Sequence, residues 1–166
     1  MQTPRSQFGF AMLEVSLAIL AIVLASIGCL SLYMSGQTRQ TQQDLASELT
    51  AIGNEFSLLN TAGLTQSGLT SGSDLATLLY NSKQLPAQMF QTSGSSSQMT
   101  SPVGLLTFSK VTASGFSVTF PGSTLITTDT QQKGFLSLIK NTYQSCSSSN
   151  LGHADNQVTC VMSVAQ

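Results

Sequence analysis

Charge is scarce in this chain. Six lysines and arginines and seven aspartates and glutamates make up 8% of its 166 residues and leave a net charge of -1. No basic face offers itself to nucleic acid and no acidic run forms a tail, so nucleic acid is not expected as a partner. Tryptophan is absent, and the one histidine, His153, lies near Asp155 in a stretch of Ser, Asn and Gly. A hydrolase triad built on them would need a nucleophile on a Gly-x-Ser-x-Gly turn, and the sequence has none. His153 and Asp155 therefore read as solvated loop residues, and the chain is not expected to be an enzyme. The three cysteines form no Cys-x-x-Cys pair and no cluster with histidine, which argues against zinc or another metal. A phosphate-cradling glycine loop, a calcium-loop pattern and a converging carboxylate pair are missing too, so no cofactor is implied.

What the chain does have is one long apolar run, Gly9 to Met34, interrupted by a single acid, Glu14, the only charged residue between Arg5 and Arg39. From Val15 to Met34 the run is about twenty residues, which as a helix at roughly 1.5 Å per residue matches the ~30 Å hydrocarbon core of a bilayer. A carboxylate in such a segment is costly unless paired, and so marks a functional position. Three plain readings compete. A secretory signal peptide wants a charge-free core and a small-x-small cleavage site, which Glu14 spoils. A lipoprotein signal is suggested by Gly28-Cys29, but Ser26 stands where a large aliphatic residue is usual. A simple anchor explains the length but not the register of Gly9, Phe10 and Glu14.

That register, a glycine, a phenylalanine and an acid as the fifth residue after the glycine, resembles the start of type IV prepilins, and the resemblance covers the first fifty or so residues. It implies a leader of residues 1–9, cleavage by prepilin peptidase between Gly9 and Phe10, and N-methylation of Phe10. It also implies that Glu14 pairs with the amino terminus of Phe10 in a neighbouring subunit. A buried acid beside an ammonium is then a paired charge rather than an orphan. Arg5 in the leader favours a cytoplasmic start and an outward-facing remainder.

Beyond the apolar run no proline interrupts the chain until Pro86, and Leu45, Leu49, Ile52, Phe56 and Leu59 recur at gaps of four and three. This is an amphipathic helical stripe. One helix over 10–60 is expected, membrane-spanning over 10–34 and one-faced thereafter, with Asp44, Glu48 and Glu55 as solvated charges. Cys29 reads as a small lipid-facing or helix-packing residue.

Residues 61–166 then read as a globular α+β head. A Ser/Gly-rich loop over Thr65–Ser73 leads into a short helix capped by Ser71 or Ser73, carrying Leu75, Leu78, Leu79 and Tyr80. Gln91–Pro102 lacks any period and reads as a surface loop. Leu105–Val111 and Gly115–Phe120 are rich in strand formers, joined at Ala113-Ser114-Gly115. A helix is expected from Thr130 to about Gln144 with Phe135, Leu138 and Ile139 on one side. A last strand, Val158–Val164, places Cys160 on one face with Val158 and Met162.

The expected order is a long helix packed against a small antiparallel sheet with short helices, which resembles the pilin fold. Leu85-Pro86, Met89-Phe90 and Ser101-Pro102-Val103-Gly104 are similar to the head of type IVb pilins of the bundle-forming and conjugative-plasmid kind, in which two cysteines staple the C-terminal part. The short leader and Phe10 resemble type IVa. Cys146 and Cys160 lie in the part that would be translocated, and an oxidising compartment favours their pairing, tying the loop before Gln157 to the last strand. The family resemblance implies a structural subunit of an extracellular type IV pilus serving adhesion, aggregation or conjugation. Its partners would be copies of itself, the inner membrane before assembly, the peptidase, the pilus assembly machinery and a host or neighbouring cell surface. A minor pilin or type II secretion pseudopilin is the alternative in the same machinery. An anchored adhesin that never polymerises is the alternative from another class.

Overall fold

The computed structural model describes all residues except 1–6, 66–68, 70, 94–95, 123–124 and 165–166. The expected leader therefore lies largely outside the described residues. Helix α1 spans Gln7–Thr61, and the chain divides into two compact units, Met1–Arg39 and Gln40–Gln166, with the boundary inside this helix.

In the first unit α1 is apolar all round. Val15, Leu17, Ile19, Leu20, Ile22, Leu24 and Ile27 are all exposed. Hydroxyls here are satisfied by the helix itself, Ser26 donating to the Ile22 carbonyl at 2.8 Å and Ser35 to Leu32 at 2.9 Å. Back-bonding of this kind is how a polar side chain is accommodated without water. By length and composition the helix can cross a membrane.

In the second unit the expected stripe is buried: Leu45, Leu49, Ile52 and Phe56 are fully enclosed and Leu59 nearly so. They join a single core with the inner face of a six-stranded antiparallel sheet, ordered β1-β2-β3-β4-β6-β5. The strands are β1 (Phe90–Ser93), β2 (Ser96–Ser101), β3 (Gly104–Thr112), β4 (Gly115–Pro121), β5 (Tyr143–Ser148) and β6 (Gln157–Ser163). Alternation sets the inner face, and directly opposed residues stack across strands. Phe108, Val118, Cys160 and Cys146 form one row, with Phe116 opposite Met162 and Phe120 opposite Val158 in the neighbouring rows. Phe116 meets Phe56, Phe108 and Tyr143 edge to face.

Helix α2 (Gly72–Ser82) starts at a capping box in which Ser71 Oγ accepts from Asp74 N and Asp74 Oδ2 accepts from Ser71 N. Leu75, Ala76 and Leu79 are its buried side chains, while Tyr80 faces solvent. Helix α3 (Asp129–Ile139) is capped by Thr128 and packs against β5 through Phe135 and Ile139.

Four expectations are corrected. The stretch read as a loop, Gln91–Pro102, contributes to the hairpin β1–β2, because Phe90 opposite Met99, and Met99 opposite Leu106, extend the apolar inner face. Helix α3 ends at Ile139 instead of Gln144, and Tyr143–Ser148 is the edge strand β5. Leu138, expected on the buried side, is 49% exposed. Of the three acids expected as solvated charges, Asp44, Glu48 and Glu55, only Asp44 is exposed: Glu55 is 6% exposed, and Glu48 is half-buried.

Candidate functional site

The residues singled out at the N-terminus share one helix. Gly9, Phe10 and Glu14 all fall within Gln7–Thr61, so Glu14 lies about one helical turn beyond Phe10 along the axis. Glu14 is exposed, as is every described side chain from it through Cys29. The side chain of Phe10 is outside the described residues. Nothing within the described chain covers this apolar helix, and Cys29 is a free, exposed thiol in it. A surface so uniformly apolar cannot rest in water and requires lipid or other chains around it.

The cysteines of the second unit are brought together. Cys146 and Cys160 form a disulfide, and both are buried. Cys146 lies within strand β5 and not in a loop, so the staple joins two neighbouring strands at directly opposed positions. The 4.1 Å separation of their Cα atoms is that of a closely spaced pair whose own N–H and C=O groups point away from the partner strand. The freed carbonyl of Cys146 on the sheet edge accepts from the Gln132 side-chain amide of α3 at 2.8 Å. One edge of the sheet is thereby partly closed by a side chain.

Two polar features escaped the sequence reading. Asn156, 1% exposed, organises the loop between β5 and β6. Its amide donates to the Ile126 carbonyl at 2.7 Å, and its Oδ1 accepts from Ser148 Oγ and from the Asn150 N–H. Its backbone carbonyl accepts from Gly122 N. Thus a segment with few apolar side chains is held by hydrogen bonds to a buried amide. The second feature is Glu48, whose Oε2 is buried without a hydrogen-bond partner. Burial, and then the nearby charge of Asp44, push its carboxyl above the ordinary value. Neither was visible in spacing, because periodicity reports apolar faces and both residues are polar.

The outer face of the sheet is free of charge along its central rungs. Thr107, Thr119, Thr159 and Ser147 stand opposite one another on β3, β4, β6 and β5, and the Thr119 and Thr159 hydroxyls are 2.9 Å apart. His153 and Asp155 are both exposed, and the Asp155 carboxylate accepts from the Asn150 amide. Among the described residues no group of three or more His, Cys, Asp or Glu converges as a metal site.

Compared with known proteins, the chain matches no protein-family model, no curated protein and no solved structure.

Proposed function

We propose that this chain is a structural subunit of an extracellular type IV pilus. In this reading prepilin peptidase cuts after Gly9, Phe10 becomes the methylated amino terminus, and the subunit waits in the inner membrane through residues 10–34. The assembly machinery then stacks copies into a helical fibre. The observation that carries the reading is the register of Gly9, Phe10 and Glu14 at the head of one continuous helix whose first half, among the described residues, leaves its apolar side chains exposed.

Transfer from lipid into a fibre gives those side chains another apolar environment. Glu14, exposed in the single chain, then needs a cation, and a neighbour's amino terminus supplies one. The disulfide-bonded α+β unit suits an oxidising location outside the cytoplasm. Its charge-poor surface suits contact with copies of itself and with cell surfaces. A minor pilin or pseudopilin would share most of these features, although many pseudopilins lack a terminal cysteine pair, and would differ in abundance in sheared fibres.

The test is the mass of the mature amino terminus. N-methylated Phe10 is the expected result; Met1 retained, or a cut near Gly28, rejects the proposal in favour of an anchored protein that does not polymerise.

A further inference from the structure

One cavity in the second unit combines exposed aromatic surface with a cation. It has a volume of about 380 Å³ and is lined by Tyr80, Lys83, Leu85, Ala87 and Phe90, between the end of α2 and the start of β1. That volume lies at the lower end of the range for small-molecule sites and suits one or two rings. Leu85 is buried, whereas Tyr80 is 42% exposed. The Tyr80 and Phe90 rings meet edge to face with centroids 5.4 Å apart. An edge-to-face pair of this kind, with Tyr80 exposed and Phe90 half-buried, leaves ring surface free for a third partner.

Lys83 is placed there at a conformational cost. It ends α2 in the left-handed region, φ 56° and ψ 18°, with its N–H bonded to the Tyr80 carbonyl. Glycine or asparagine usually takes this position because a Cβ is crowded in it. A cation does complement a helix C-terminus, but a lysine in the place of Asn81 or Ser82, inside the last turn, would offer that benefit from an unstrained backbone. Strain held at a single non-glycine residue beside a cavity is an observation from which function is properly inferred. None of the cavity-lining residues is acidic, so no carboxylate from the lining neutralises the ammonium.

We propose that this cavity binds a carboxylated sugar ring, such as a terminal hexuronic acid of a glycan. The aromatic pair packs on the apolar C–H face of the pyranose, and the Lys83 ammonium pairs with the carboxylate. The assignment does not depend on the pilus reading, since the site belongs to the second unit whether or not the chain polymerises.

The experiment is a heteronuclear NMR titration of the full chain in sugar-free detergent with methyl β-glucuronide, compared with methyl β-glucoside and benzoate. Expected are shifts concentrated on Tyr80, Lys83, Leu85, Ala87 and Phe90, with the neutral glucoside binding at least about tenfold more weakly. Lys83→Gly separates binding from folding: glycine relieves the backbone, so Tm stays level or rises, while glucuronide affinity falls about tenfold. Tyr80→Ala abolishes the shifts. The absence of shifts at these residues, equal affinity for glucuronide and glucoside, or unchanged affinity in Lys83→Gly overturns the proposal. Tighter binding of benzoate than of glucuronide overturns its sugar component.

Discussion

The Tyr143 hydroxyl, at the start of β5, donates a buried 3.0 Å hydrogen bond to the Leu49 carbonyl in the second half of α1. Burial pushes the Tyr143 phenol well above its usual range, so it remains a donor at any working pH. Leu49 is itself fully buried, and the ring of Tyr143 packs edge to face on Phe116. Tyr143→Phe keeps the ring and loses the donor, and should cost about 1 kcal/mol. Tyr143→Ala removes both and should cost about 3–5 kcal/mol. Urea unfolding of the full chain in detergent, followed by circular dichroism, checks the difference; equal costs would show that the hydrogen bond and not the packing of the ring matters.

Next to this contact α1 passes close to the turn before β5. A Cβ on Gly53 would overlap the Thr142 methyl group. Gly53→Ala should therefore destabilise by about 1–3 kcal/mol despite the better helix propensity of alanine. Adding Thr142→Ser removes the methyl and should recover a good part of that loss, a coupling readable as a double-mutant cycle.

The disulfide closes a loop with a sequence separation of 14, and restricting a loop of that size in the unfolded chain is worth on the order of 3 kcal/mol. Cys146→Ser and Cys160→Ser should each lower the unfolding midpoint by a corresponding amount. Without reductant, thiol reagents should modify Cys29 alone, since it is the free and exposed cysteine. Labelling of Cys146 or Cys160 in protein kept under oxidising conditions would refute the staple.

Glu48 contributes in the opposite sense. Because its carboxyl titrates above the ordinary value of 4.5 in the folded chain, the folded state holds that proton more tightly than the unfolded one. Its favourable contribution is complete below the ordinary value and is lost as pH rises through the raised one. Glu48→Gln should therefore stabilise at neutral pH, by less than about 1 kcal/mol for so partly exposed a group. The gain should shrink toward zero on acidification. Thermal melts at two pH values decide, and a gain independent of pH would contradict this account.

Glu14→Ala addresses the proposed assembly. The lost interaction lies between subunits, so leader removal and membrane insertion should stay largely intact while fibre yield falls. Normal fibre numbers from this variant would count against pairing with a neighbour's terminus. Gly9→Leu should act earlier and block processing.

Which elements were legible in the sequence follows from how each is stabilised. Leu45, Leu49, Ile52, Phe56 and Leu59 repeat at helical spacing and are all buried, so the second half of α1 was readable from its own residues. Strands β4 and β6 alternate apolar and polar residues, and β3 was legible by its strand formers despite a bulge between Ser109 and Thr112. Strand β5 did not: an irregularity between Tyr143 and Ser145 puts its inward residues, Tyr143 and Cys146, three apart. That spacing continues a helical pattern, and the helix was read too far. The hairpin β1–β2 has little apolar content of its own beyond Phe90 and Met99, and takes its strand form from pairing with β3. At the candidate sites, Glu14 and the two cysteines stood out by type and position. Asn156, Glu48 and the strained Lys83 did not, because buried amides, orphan oxygens and positive φ values are set by tertiary surroundings.

The contact between Leu49 and Tyr143 also orders events in time. The partners are 94 positions apart, and Gln42 likewise bonds the Leu125 carbonyl across 83. A chain that emerges amino end first presents the apolar stripe of α1 long before β5 and β6 exist to receive it. Local helix formation is fast, while closure of such distant pairings is slow. During synthesis the part of the stripe around Leu49 therefore stays open to chaperones and proteases until β5 has been delivered, and a chain cut short before Tyr143 leaves that part without its partner.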